Sequence, residues 1–457
     1  MAPAARPESN IPGPKAMRLL GRRGNILALA RDPFGMLQSV YQAYGPLAAL
    51  IDNTPPVVVA LGADANRQLL AAPGLTHPVF SPVAQERGRI RREHPTLPAH
   101  GYPALLPAAG KRQQEIWYTN TLALTGQMLR HWIIGRELDA AYTMTTLLFR
   151  VVCRTLFGPT PDGALRRLEQ TWHRWTRACS LTALQVGPHP LFSLPFRRLQ
   201  RLSLRLDQDI RDVLAGAHGS PRIPDAAGER LIQHDQPGGT DELIARIVLL
   251  LVAGEAAGSA LAWTFFLLSQ HPQVLADLRD TLWSAFRGAP PAQDQLDRLP
   301  LLNDVVDESL RLLPPFGIGY CLATASIELA GYALPPDTTI MYSPLVTHRS
   351  PDLYLWPHTF RPERWRAIAP ESHQYLPFGV HPDVAAYAPL ASMMVRLVLA
   401  MVVQYASLGL SSGARIDLHM QLTLMPRGGL PMVIAPGDRL VTRRLPDGNI
   451  RAAIRIV

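Results

Sequence analysis

A single carboxylate, Glu255, stands near the middle of a mostly apolar run at residues 247–268. Burial penalises the charged form of a carboxyl group, so such surroundings raise its pKa toward the range useful for general acid–base work. The other reading is a carboxylate hydrogen-bonded within its helix. Further along, His381 and Tyr387 lie close together in sequence. With Glu255 they form a set suited to proton transfer in an isomerisation, cyclisation or hydrolysis. Two charged pairs draw notice for a different reason. Glu308 and Arg311 share one helix face at i,i+3, and Arg364 sits in a Pro-Glu-Arg-Trp segment. An i,i+3 ion pair alone is common on helices and carries no chemistry. The three cysteines, Cys153, Cys179 and Cys321, show neither a CxxC spacing nor a secreted framework, which argues against disulfides and zinc.

These residues need elements to hold them. The chain has 457 residues, 47% of them hydrophobic and 18% charged, enough apolar content to bury a large core. Helical patterning covers residues 113–132, 139–156, 163–182 and 196–215. A longer helix is predicted over residues 241–270, with Thr240 as its cap, Asp241 and Glu242 in its first turn and Pro272 at its end. At about 1.5 Å per residue, some 30 residues span about 45 Å, so this helix crosses the interior of a large unit. It is long enough to span a bilayer, but Glu255 and the flanking Arg246 make a buried core helix the expected state, with no membrane span. Further helices are predicted over 301–313 and 390–407. A buried strand falls within residues 47–61, and a hairpin is predicted between 422–425 and 432–434 around Pro426-Arg427-Gly428-Gly429. The pattern is a little β, much α, then a little β: mainly α with small β-sheets, one large unit from residue 11 to 457 after a flexible stretch at 1–10.

The net charge is +9, with arginine far ahead of lysine. No basic run interleaves with aromatic residues as a nucleic-acid site requires, so the charge reads as a solubility feature and no nucleic acid is expected. The first residues contain no apolar signal segment, and a reducing cytoplasm is the expected location.

Several segments in order along the chain resemble the cytochrome P-450 superfamily. They are Pro12-Gly13-Pro14, Tyr44-Gly45-Pro46, Ala253-Gly254-Glu255 running on to Trp263, Glu308-Ser-Leu-Arg311, Phe360-Arg361-Pro362-Glu363-Arg364-Trp365, and Phe378-Gly379 followed by Leu390-Ala391. The resemblance implies the fold of that family, and it implies that Glu308, Arg311 and Arg364 form a buried structural ion network. It also implies where a heme would sit. The frame of the family's heme-binding loop runs without a gap from Phe378 to Leu390-Ala391, and in that frame Ala385 occupies the place of the cysteine ligand. Asp383 occupies the place of an arginine that pairs with a heme propionate, and Leu322 stands at a second propionate position. In a less certain frame, Gln113 and Trp117 stand at a third. On the long helix, a frame anchored on Trp263 leaves Glu255 as the acid of the family's acid–threonine pair with Ala256 in place of the threonine, while a frame anchored on Ala253-Gly254 puts Ala256 and Ala257 in place of both.

Together these departures lead to an expectation that the chain binds no heme. His381 and Tyr387 flank the loop position. They are read either as alternative heme ligands, which His and Tyr are in other proteins, or as side chains filling the volume. By resemblance to heme-free members that activate glycosyltransferases in natural-product pathways, the chain is expected to be a non-catalytic auxiliary of a partner enzyme. The alternatives are a non-redox enzyme taking a small lipophilic ligand in an apolar pocket, and a monooxygenase with non-cysteine heme ligation.

Overall fold

A computed structural model describes residues 11–15, 23–51, 56–76, 111–158, 162–179, 194–217, 239–380, 387–438 and 441–455. The expected flexible stretch at 1–10 and the loop residues His381, Asp383 and Ala385 lie outside the described residues.

The chain opens with two helices, α1 (Arg23–Arg31) and α2 (Pro33–Tyr44). Asp32 caps α2 by accepting from Gly35 N at 3.0 Å, with Pro33 at the first helical position. Strands β1 (Leu47–Ile51) and β2 (Val57–Ala60) are fully buried, as their unbroken apolar runs require. There follow α3 (Ala63–Ala71), β3 (Leu75–Thr76), α4 (Lys111–Arg130), β4 (Glu137–Asp139), α5 (Ala140–Phe157), α6 (Asp162–Ala178), α7 (Leu194–Ala217) and the long α8 (Gly239–Gln270). After α8 come α9 (Pro272–Phe286), α10 (Gln293–Leu296), α11 (Pro300–Leu312), β5 (Gly319–Ala323), β6 (Ile327–Leu329), β7 (Tyr332–Leu334), β8 (Thr339–Tyr342) and α12 (Pro344–Thr347). A 3₁₀ turn at Pro362–Arg366 precedes α13 (Ala388–Tyr405), β9 (Ala406–Leu410), β10 (Leu418–Met420), β11 (Leu424–Pro426), β12 (Pro431–Pro436) and α14 (Ile450–Ala453).

At the helical centre α8 packs on α5 and α13, and α4 packs on those same two helices. Helix α8 is apolar nearly all round because it is covered nearly all round, with its residues buried from Ile247 onward. Its closest neighbour is α5, and two glycines permit that crossing. A Cβ on Gly258 would fall 2.6 Å from Thr145 Cα, and one on Gly254 would fall 2.8 Å from Val152 Cγ2. Opposite, Ser259 Oγ and Trp263 Nε1 both donate to Leu424 O at 2.8 Å, fixing α8 to β11. Among the described residues, helices α8 and α13 are the two apolar and long enough to cross a bilayer; the apolar stretch of α8 is mostly buried and that of α13 about half buried.

The largest sheet has the order β1-β2-β8-β5-β3. Strands β2 and β8 are parallel and the other pairs antiparallel. A second sheet has the order β4-β12-β9. This corrects the hairpin predicted for the tail. Residues 424–426 pair with Leu418–Met420, while β12 pairs with β4 and β9. The Pro426–Gly429 turn is present, but partners distant in sequence capture each arm. Arg427 N donates to Asp417 O at 2.7 Å, and Leu430 N to the Asp139 carboxylate at 3.0 Å. Asp139 also caps α5, accepting from Ala141 N at 3.0 Å, so one side chain joins the turn to that helix.

Candidate functional site

Glu255 lies on α8, buried to within 4% of full exclusion from solvent. It faces α6, where Trp172 Nε1 donates to its Oε2 at 3.0 Å. That indole bond is the one hydrogen bond described for the carboxyl group. Burial pushes the pKa of Glu255 up to about 7, while the Trp172 bond and the more distant Arg177 act against the rise. At neutral pH both protonation forms are therefore populated, the condition for a group that gives and takes protons. Cys179, just past the end of α6, is a neighbour of this carboxyl. Burial, with Glu255 adding, holds its thiol well above the ordinary range. Trp172 itself is fixed by Trp175, with ring centroids 5.2 Å apart, and by Phe149 of α5 at 6.2 Å. Trp175 Nε1 donates to Ser203 Oγ of α7 at 2.9 Å.

The other residues singled out from the sequence fall in two places. Ala256 is buried beside Glu255 on α8. Leu322 lies on β5, paired with Thr339 of β8 and Thr76 of β3. Trp117 is buried in the helical core and Gln113 is half-buried, both on α4. Tyr387 is buried at the start of α13, away from solvent. The structure does not describe His381 beside it, nor Asp383 and Ala385.

The charged triad forms a separate, sealed cluster. Arg311 Nε and Nη2 each donate to Glu308 at 2.8 Å, and Arg364 Nε donates to Glu308 Oε1 at 3.0 Å. Trp365 Nε1 and Arg361 N also donate to Glu308, at 3.1 and 2.8 Å. The remaining donors of Arg311 reach His348 O, Pro357 O and Thr359 O. A buried charge cluster is tolerable only when every donor and acceptor is matched, and here they are. His348 extends the cluster toward the loop. Its Nδ1 meets Arg311 O at 3.1 Å and its Nε2 accepts from Leu376 N at 3.0 Å. Burial and the neighbouring guanidiniums push its pKa down to about 3, so it stays neutral. Tyr342 OH accepts from Val380 N at 3.0 Å, so β8 fixes the last described residue before the loop. Sequence reasoning missed Trp172, His348 and Tyr342. Each touches its partner through the fold alone, and no local spacing signals it.

The cytochrome P450 family model matches residues 228–430. Over 455 residues the chain is 30% identical to cyclooctat-9-en-7-ol 5-monooxygenase of Streptomyces melanosporofaciens, covering 95% of this chain and 97% of that protein. The chain belongs to the cytochrome P450 family. It is also 29% identical to cyclooctatin synthase of the same organism, over 78% of this chain and 81% of that protein. With pentalenene oxygenase of Streptomyces avermitilis it shares 30% identity, over 60% of this chain and 64% of that protein. Two solved structures share the fold. One, described as the crystal structure of the cytochrome P450DA heme domain, has a TM-score of 0.76 at 18% identity, covering 95% of this chain and 98% of its own. The other, retinoic acid bound cyanobacterial CYP120A1, has a TM-score of 0.74 at 23% identity, covering 93% of this chain and all of its own. The mainly helical architecture with small sheets is thus the cytochrome P450 fold.

Family membership corrects the expectation that the chain carries no heme. The family is one of heme-binding proteins, and substitutions in one loop do not outweigh a likeness that covers 95% of the chain. The donor set can be tested against that group. The last cysteine in the chain is Cys321. It is buried in β5, and burial pushes its thiol up to about 12. Cys153 is likewise buried and raised, with Glu169 adding to the effect. Burial likewise raises the Cys179 thiol. None of the three cysteines falls in residues 378–391, the segment that resembles the family's heme-binding loop.

Proposed function

We propose that this cytochrome P450-family protein acts on a lipophilic, terpenoid-class molecule at Glu255, by proton transfer rather than thiolate-driven oxygen insertion. The observation that carries this reading is the buried Glu255 carboxyl, poised near neutrality with one oxygen held by Trp172. The substrate class rests on the relatives, whose names place them on cyclooctatin-type and pentalenene skeletons. In an isomerisation or cyclisation, the neutral carboxyl gives its proton to an unsaturated carbon or an oxygen. The resulting carboxylate then takes a proton from a neighbouring carbon. Atoms and electrons balance, and no oxidant is consumed. The three buried free thiols agree with a reducing, cytoplasmic location.

The test is incubation of the full chain with a panel of terpene hydrocarbons and alcohols in heavy water. The expected product has the substrate's skeleton mass with deuterium incorporated. Glu255→Gln lowers its rate by about 10²–10⁴-fold. Products carrying an added oxygen atom, or a thiolate-type spectrum after heme reconstitution and carbon monoxide treatment, defeat the proposal.

The intact Glu308–Arg311–Arg364 cluster favours a second reading, because a retained fold also suits an auxiliary that binds and activates a partner enzyme such as a glycosyltransferase. Co-purification of a stoichiometric partner from the native host, whose activity rises on adding this chain, is the result it requires.

A further inference from the structure

The fold gathers basic charge that looks scattered in sequence. Helix α6 turns Arg166, Arg167, Arg174 and Arg177 to solvent. Between residues 163 and 178 its one acid, Glu169, is buried against Arg150 at 2.8 Å. Helix α7 does the same with Arg197, Arg198, Arg201 and Arg205, and no acid occurs between residues 194 and 206. Arg205 reaches back to the buried Asp209 at 3.1 Å while staying 58% exposed. The two helices run antiparallel side by side. Trp175 bonds to Ser203, and Thr171 Oγ1 donates to Asp209 at 2.6 Å, so both buried faces point inward and both arginine faces adjoin outside.

Apolar side chains share the outer face of α7. Leu194 is 72% exposed and Leu204 is 56% exposed, on the same side as Arg197 and Arg201 at helical spacing. Exposed leucines among arginines, with the opposite face committed to the core, are the pattern of a helix lying at a lipid interface. The arginines meet phosphates and the leucines enter the acyl boundary.

We propose that the outer face of α6 and α7 docks this protein peripherally on an anionic phospholipid surface. The charge selects an anionic surface. The exposed leucines favour lipid over an acidic protein, which would leave them in water. The inner face of the same helix pair carries Trp172, which donates to Glu255, so the docked face lies across α6 from that carboxyl.

The test is co-sedimentation of the full chain with vesicles of phosphatidylcholine alone or mixed with phosphatidylglycerol. Binding is expected only to the mixed vesicles and falls as salt rises. A basic residue near an anionic surface contributes about a fivefold factor in partitioning, so Arg174→Glu with Arg201→Glu lowers binding by more than about 25-fold. Leu204→Ser lowers it several-fold at unchanged net charge. Both variants change exposed residues and are required to unfold at the wild-type midpoint. Equal binding to neutral vesicles, no binding to either, or unchanged binding by the arginine variant overturns the proposal. Unchanged binding by Leu204→Ser, or capture by immobilised polyglutamate without vesicle binding, overturns it in favour of an acidic protein partner.

Discussion

Replacing Glu255 with glutamine keeps an oxygen for the Trp172 indole and removes only the ionisation. The variant therefore isolates what burial of the acid does to stability. In the unfolded chain the carboxyl titrates near its ordinary value of 4.5, and in the folded protein near 7. Below the lower value it is neutral in both states and burial costs nothing electrostatic. Between the two values the unfolded chain releases the proton that the folded protein retains. Wild-type stability therefore falls by about 1.4 kcal/mol per pH unit over that window. Above about pH 7 the loss is complete and amounts to about 3 kcal/mol. The glutamine variant has no such term. Urea unfolding of both proteins, followed by tryptophan fluorescence from about pH 4.5 to about pH 8, should show the variant gaining about 3 kcal/mol on the wild type as pH rises, most of it before about pH 7. A stability difference that stays constant over this range would falsify the placement of Glu255 as a buried, unpaired acid.

Trp172→Phe removes the one described hydrogen bond to Glu255. It should move the same pH transition upward, because that bond lowers the Glu255 pKa, and should cost about 1 kcal/mol at high pH. Glu308→Gln leaves the buried Arg311 and Arg364 without their counter-charge and should destabilise by about 3–5 kcal/mol, read as a lower urea midpoint or loss of soluble protein. Gly258→Ala drives a methyl group to within 2.6 Å of Thr145 Cα. It should cost about 1–3 kcal/mol by forcing α5 from α8, while Gly216→Ala, at an open position on α7, serves as the neutral control.

The helices that position the site were legible because their signals are local. The run ending at Pro272 placed the long helix at 241–270 against the observed Gly239–Gln270, and residues 139–156 against Ala140–Phe157. Apolar periodicity suffices for both, and for the longer one the Thr240 cap and Pro272 stop mark the ends. The tail was misread because a strand's partner is not written in its own residues. Pro426–Gly429 signals a turn, but only the fold decides that β12 pairs with strands at residues 137–139 and 406–410. The partner of Glu255 was illegible for the same reason. Trp172 is 83 residues away, and only the fold brings α6 to the side of α8 that carries Glu255. The basic face escaped notice because a four-residue pattern on each of two helices becomes a surface only when the helices lie side by side.

The two buried carboxyls of the core show opposite uses of burial. Glu308 accepts four side-chain and one backbone donor, so its burial is spent on rigidity and it has no lone pair left for a substrate. Glu255 accepts a single indole bond and is pushed toward neutrality instead. A carboxyl serving only the fold gains stability from each added donor. An acid poised near neutral pH, at a cost of about 3 kcal/mol above that pH, is what the proposed proton transfer requires.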